Sequence, residues 1–184
     1  YQQKVKSVNS SNTSSTDLKK LYLKAHELGR SDEAQRLVVL GLDTDEKIFF
    51  RLEKFKNLAQ EGHVRSPQAL ALKHEIKALD PHNEKGTEYE IALIEFEAYS
   101  DELAHEKTTP EQTVVPLINY IQAYGERDKE HVWKLQMIIS QVFLDKNKLS
   151  QALEYARASY ETAPDPVKSE IATAVKNIQI QIKK

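Results

Sequence analysis

The sequence predicts an all-α protein, and three observations carry that expectation. Apolar residues recur at spacings of three and four from about Asp17 to the end of the chain. Glycines and most prolines fall between these stretches, where helices start and stop. No alternating run joined by a tight Asn-Gly or Asp-Gly turn appears, so strand signals are weak.

The elements follow in order. A first helix spans about Asp17 to Leu28, with Leu18, Leu21 and Ala25 on one face. A second starts at Ser31 and carries Ala34, Leu37, Val38 and Leu42. A third follows Thr44 with Ile48, Phe49, Leu52, Phe55 and Leu58. Phe49 and Phe50 are adjacent, so both rings cannot easily face one core. The fourth begins at Ser66-Pro67, an N-cap followed by proline, and carries Leu70, Leu72, Ile76 and Leu79. The fifth opens with Thr87 and Glu90 at capping-box spacing and carries Ile91, Leu93, Ile94, Phe96 and Leu103. Thr109 and Gln112 have the same spacing and open the sixth, where Pro116 predicts a kink or a later start. The seventh carries Val132, Leu135, Ile139, Val142 and Phe143; the eighth Leu149, Ala152, Leu153, Ala156 and Tyr160. The ninth starts at Asp165-Pro166, read as another N-cap, with Val167, Ile171, Val175 and Ile178. Helices joined by turns this short suggest stacked antiparallel pairs. Gly29, Gly41, Gly62, Gly86 and Gly125 mostly sit where a left-handed residue would end a helix.

Composition narrows the function. The 184 residues hold 26 Lys+Arg and 28 Asp+Glu, a net charge of −2, so no basic excess marks a nucleic-acid footprint. There is no cysteine, which removes disulfides, thiolate catalysis and cysteine zinc sites from this chain. It leaves the compartment open, whether a membrane-tethered envelope setting or the cytoplasm. No apolar run approaches the ~18 residues of a membrane span. Residues 1–16, rich in Gln, Ser, Asn and Thr, read as a flexible polar tether, with 17–184 as a single helical domain. The first residue is Tyr1 rather than Met, so an excised or processed segment is expected, with a membrane or lipid anchor as one source of the tether.

Catalytic constellations are missing from the pattern. The six histidines never pair at i, i+3 or i, i+4, so no metal site and no cofactor is expected. Asp43-Thr44-Asp45 lacks the glycine of a calcium loop, because Ile48 stands at position six. Phosphate loops and nucleophile elbows are absent too. The carboxylates around Glu84 to Glu97 read as a solvated helix face. The chain is therefore expected not to be an enzyme. Tyr89, Phe96 and Tyr99 form an aromatic stripe that is either core or the lining of a groove.

The segment from Trp133 to Pro164 resembles the tetratricopeptide repeat, whose period is about 34 residues. The likeness rests on Ile139, Ser140, Phe143, Leu149, Ala152, Ala156 and Pro164, around a polar turn at Asp145-Lys146-Asn147-Lys148. It departs at Ser159, where the family has alanine, and at Gln136, where it has a large aromatic. Looser units cover Thr16 to Asp45, with Ala34 as the small residue, and Thr44 to Pro81, with Ala69 or Ala71; 87–125 fits as a degenerate pair. The resemblance implies a right-handed solenoid of antiparallel helix pairs, capped by the last helix, whose polar face suits an open end.

In that family the first helix of each pair lines a concave groove that grips peptides. Carried over, the groove positions are Lys134, Met137, Gln141 and Asp145, with Phe49, Leu52 and Lys56 on the third helix. The Lys-Asn clamp for acidic chaperone tails is not matched, since Met137, Ile138 and Gln141 stand there. The expected function is capture of a partner peptide or helix by apolar anchors and a few polar contacts. Leu144 to Leu149 is similar to a stretch in membrane-tethered repeat proteins of bacterial secretion, which implies an envelope scaffold. The alternatives are a soluble secretion chaperone holding an apolar client and a small-ligand bundle.

Overall fold

A computed structural model describes residues 13–183. Among the described residues every regular element is a helix: α1 (Ser15–Glu27), α2 (Ser31–Gly41), α3 (Lys47–Gln60), α4 (Pro67–Leu79), α5 (Thr87–Ala104), α6 (Pro110–Tyr124), α7 (Lys129–Asp145), α8 (Leu149–Thr162) and α9 (Asp165–Ile182). The fold class expected from periodicity is the one observed. α1 starts before Asp17, because the Ser14 hydroxyl caps it by accepting from the Asp17 N–H at 3.2 Å. Ser15 and Thr16 are thus helical rather than tether, and residues 1–12 lie outside the described residues.

The chain divides into two compact units, Tyr1–Ile94 and Glu95–Lys184, where the sequence pattern reads as one helical domain. The first contains α1 to α4 and the opening of α5. Its helices pack in chain order, α1 on α2, α2 on α3 and α3 on α4. Leu18, Tyr22 and Ala25 meet Ala34, Leu37, Val38 and Phe50 in its first core. The adjacent phenylalanines divide their roles: Phe50 is fully buried, while Phe49 is half-buried against it, ring centroids 5.1 Å apart. On α4 the buried stripe is Ala69, Leu72 and Ile76, so Ala69, not Ala71, is the small contact residue. Leu70, expected on that stripe, is about 100° off it and is 48% exposed.

Two expected caps are built differently. Thr87 does not form a capping box; its hydroxyl donates to Asp80 at 2.9 Å, and the Glu88 N–H is taken by Asn83 Oδ1. The box is missing because Thr87 is the first residue of α5 and not the residue before it, so its hydroxyl serves the buried Asp80 carboxylate as a donor. Asp165 lies inside α9 and pairs with Lys168 at 3.1 Å instead of capping, with Pro164 in the N-cap position. Ser66 and Thr109 cap as expected, Thr109 with the complete capping box. Pro116 sits inside an uninterrupted α6, buried.

In the second unit α6 packs on α7, α7 on α8 and α8 on α9. The α7–α8 pair is antiparallel and close, because its contact line is made of small residues. The Ser140 hydroxyl donates to the Ala152 carbonyl at 2.7 Å, and the Ser159 hydroxyl to the Trp133 carbonyl at 2.8 Å. Both departures from the repeat pattern are used here: Ser159 gains that bond, and Gln136 accepts from the Thr162 hydroxyl at 2.7 Å. Phe143 stacks on Tyr155 with centroids 5.8 Å apart.

After α5 the chain turns through Glu106, which is exposed and has φ 58°. An ordinary side chain is disfavoured there. Glu106→Gly is expected to raise unfolding free energy by about 1 kcal/mol. Urea denaturation checks it, and an unchanged or lower midpoint would contradict the expectation.

Candidate functional site

The second unit contains a groove of about 490 Å³, open to solvent on one side. Its walls are the last turns of α5 (Phe96, Ser100, Leu103 and Ala104) and the end of α7 (Ile138, Gln141, Val142, Asp145 and Lys146). Helical spacing explains the lining. α7 buries Val132, Leu135, Ile139 and Phe143, a stripe of three- and four-residue steps. Ile138 and Val142 lie four apart on an adjoining stripe and remain half-exposed. The wall carries more apolar residues than the α7–α8 core consumes.

Local chemistry fixes both walls. Asp128 caps α7, and its carboxylate lies 2.7 Å from His131 Nδ1 and accepts from the Tyr120 hydroxyl of α6. Burial works to raise the Asp128 pKa, but donation from Tyr120 and His131 outweighs it and holds the carboxyl below its usual range. At the far end the Lys148 N–H returns to the Phe143 carbonyl at 2.8 Å. The Lys148 ammonium is bonded to Glu111 in the first turn of α6, and that bond depresses the Glu111 pKa. The Thr113 hydroxyl of α6 donates to its own helix at Thr109 and reaches the Tyr99 carbonyl of α5 at 3.5 Å. Within the groove, Gln141 Nε2 donates to Asp145 at 2.6 Å. The Ser100 hydroxyl is buried in the wall with no hydrogen-bond partner, which costs free energy unless an occupant or small rotation satisfies it.

The sequence-derived groove residues fall in both units. Gln141 and Asp145 line this groove. Lys134 and Met137 lie farther back on α7; Lys134 is 3.6 Å from Glu130, and its ammonium lies 5.7 Å from the Trp133 ring centroid. Phe49, Leu52 and Lys56 belong to the first unit. Phe49 packs edge-on against Tyr22 at 5.7 Å, with the Lys19 ammonium 4.4 Å over its ring, while Leu52 and Lys56 are half-buried. The α5 wall was not named from sequence, apart from Phe96 in the aromatic stripe. Carrying the first-helix spacing from α7 onto α5, with Ala104 aligned to Asp145, would have found Phe96, Ser100 and Ala104. That step was blocked because 87–125 matches the repeat pattern so loosely.

Among curated proteins, the chain is 32% identical over 167 residues to a protein named thioredoxin-related protein DsbJ, from Chlamydia pneumoniae. The match takes in 90% of this chain and 48% of that protein, so the chain spans about half the length of the curated relative it matches. No protein-family model matches the chain. No solved structure matches it either. Among the described residues no helix is long and apolar enough to cross a membrane.

Proposed function

We propose that this chain is a non-enzymatic protein-binding module that seats part of a partner polypeptide in the groove between α5 and α7. The carrying observation is the groove itself: Phe96, Leu103, Ala104, Ile138 and Val142 form an apolar floor that the described residues leave uncovered. A cleft open along one side suits a few side chains of a polypeptide better than a small molecule, which needs most of its surface enclosed. Two further facts favour a helical-repeat reading, a right-handed solenoid of antiparallel pairs. α1 to α4 pack on their chain neighbours in the first unit and α6 to α9 in the second, and the α7–α8 interface is built on the small residues of the repeat pattern. Capture by such a solenoid is scaffold or chaperone work rather than turnover.

The thioredoxin-related relative adds one consideration. Thiol–disulfide exchange runs through a thiolate, and this chain has no cysteine. Its share in any such process would be to hold a polypeptide.

Hydrogen exchange on the chain with its captured partner tests this. Slower exchange confined to 96–104 and 138–146, together with loss of capture by both Ile138→Glu and Val142→Glu at unchanged melting temperature, is the expected result. Protection elsewhere, or equal capture by both variants, would overturn the groove assignment.

A further inference from the structure

Resting on that groove reading, we infer that the occupant is an extended polypeptide segment and that Ser100 selects it by bonding a peptide group of its backbone. Ser100 stands within the apolar floor. It lies one helical turn from Phe96 on one side and from Leu103 and Ala104 on the other, and the opposite wall carries Ile138 and Val142. Among the described residues its hydroxyl oxygen is a buried side-chain atom with no hydrogen-bond partner. A serine within a helix commonly returns its hydroxyl to the carbonyl four residues back, here that of Phe96, and Ser100 makes no such bond. On the other wall the Gln141 side-chain amide is already bonded to Asp145.

An apolar floor with an unsatisfied hydroxyl in it asks for an occupant that is apolar in its side chains and polar at an interior point. An extended segment has that make-up. Its side chains alternate, so those at i and i+2 reach the floor, while the peptide groups between them carry free N–H and C=O. A serine hydroxyl can donate to the carbonyl or accept from the N–H. A helix lying in the groove would present apolar side chains alone, because its interior peptide groups are bonded to one another, and would leave Ser100 unsatisfied. The recessed hydroxyl reaches the groove by rotating between staggered positions about Cα–Cβ, which leaves the wall helix in place. The free chain carries the cost of the unpaired hydroxyl and binding removes it, so the bond adds affinity for the extended form alone.

The test pairs two measurements on the whole chain. Fluorescence anisotropy compares two labelled ten-residue peptides. One is extended, with Leu and Phe two apart among Val and Thr; the other is alanine-rich and stapled as a helix, with Leu and Phe four apart. The extended peptide is expected to bind about fivefold tighter, the worth of one hydrogen bond. Ser100→Ala should erase that preference and leave the affinity of the helical peptide unchanged, while Ile138→Glu should weaken both. In the free chain Ser100→Ala should raise the melting temperature by about 2 °C more than Ser169→Ala, the same change at an exposed serine of α9. If Ile138→Glu weakens both peptides but the preference is absent, reversed or unmoved by Ser100→Ala, the inference fails and the groove reading stands. A melting temperature that rises no more than for Ser169→Ala would show the hydroxyl satisfied without an occupant, and would likewise overturn the inference. Binding untouched by Ile138→Glu, or no binding by either peptide, would sink both.

Discussion

Gly41→Ala is expected to destabilise the first unit by about 2 kcal/mol, the usual range for an overpacked core. A Cβ at this position would lie 2.0 Å from Cδ2 of Phe50 and 2.3 Å from two further ring atoms. The ring is fully buried against Leu18, Tyr22 and Leu37, so it has nowhere to retreat. The backbone is held as well. The Gly41 carbonyl accepts from the Thr44 hydroxyl at 2.7 Å and the Thr44 N–H at 3.2 Å, and the Arg51 guanidinium donates to the Leu42 carbonyl at 2.5 Å. Alanine's better helix propensity, at most about 1 kcal/mol, offsets only part of the loss. Urea unfolding with amide exchange resolved over α1 to α3 would measure it. Phe50→Leu in the Gly41→Ala background should restore part of the stability, since the ring is the obstacle. A neutral Gly41→Ala would mean the α2–α3 contact is looser than described.

The second large effect is expected at Asp80. Its carboxylate accepts from the Glu84 N–H at 2.8 Å, the Lys85 N–H at 3.1 Å and the Thr87 hydroxyl at 2.9 Å, and so organises the whole α4–α5 turn. Asp80 is 5% exposed and Thr87 1%. Asp80→Ala strands these donors and should cost about 2–3 kcal/mol. The effect also has a pH signature. Burial acts to raise the Asp80 pKa, but the bonds from Thr87, Lys85 and Glu84 prevail and hold it below the usual carboxylate range. A carboxyl whose pKa is lowered by folding stabilises above its unfolded value of about 3.9 and loses that contribution as pH falls through the folded value. The difference in unfolding free energy between the native chain and Asp80→Ala should therefore be full at pH 7 and narrow below about pH 4. A constant difference from pH 7 to pH 3 would show that the carboxylate charge is not what holds the turn.

Both sites show why parts of this protein escape a reading of the sequence. Gly41 looks like its neighbours Gly29 and Gly62, which end helices at φ 65° and 80°. At Gly41 space rather than backbone angle calls for glycine, and that is visible only once Phe50 of the next helix lies against it. Thr87 and Glu90 have the same spacing as Thr109 and Gln112, yet only the latter close a capping box, because α5 begins at Thr87 itself whereas Thr109 precedes α6. The groove is hidden for a related reason. Its α7 wall follows from the repeat resemblance, but its α5 wall comes from a segment more than thirty residues earlier in the chain whose repeat pattern is degenerate.

What the sequence determined by itself is local: the helices, their order, the Ser66 and Thr109 caps, the small-residue line of Ser140, Ala152 and Ala156, and the absence of thiol chemistry in this chain. These depend on spacings within one or two turns, where side-chain periodicity and orphaned N–H groups leave few choices. The tertiary structure decided which of Phe49 and Phe50 is core, which partner Thr87 takes, and that Phe96, Leu103, Ile138 and Val142 share one uncovered floor. Those outcomes depend on which surfaces meet, and an apolar residue on a helix looks the same in sequence whether a neighbour covers it or leaves it open.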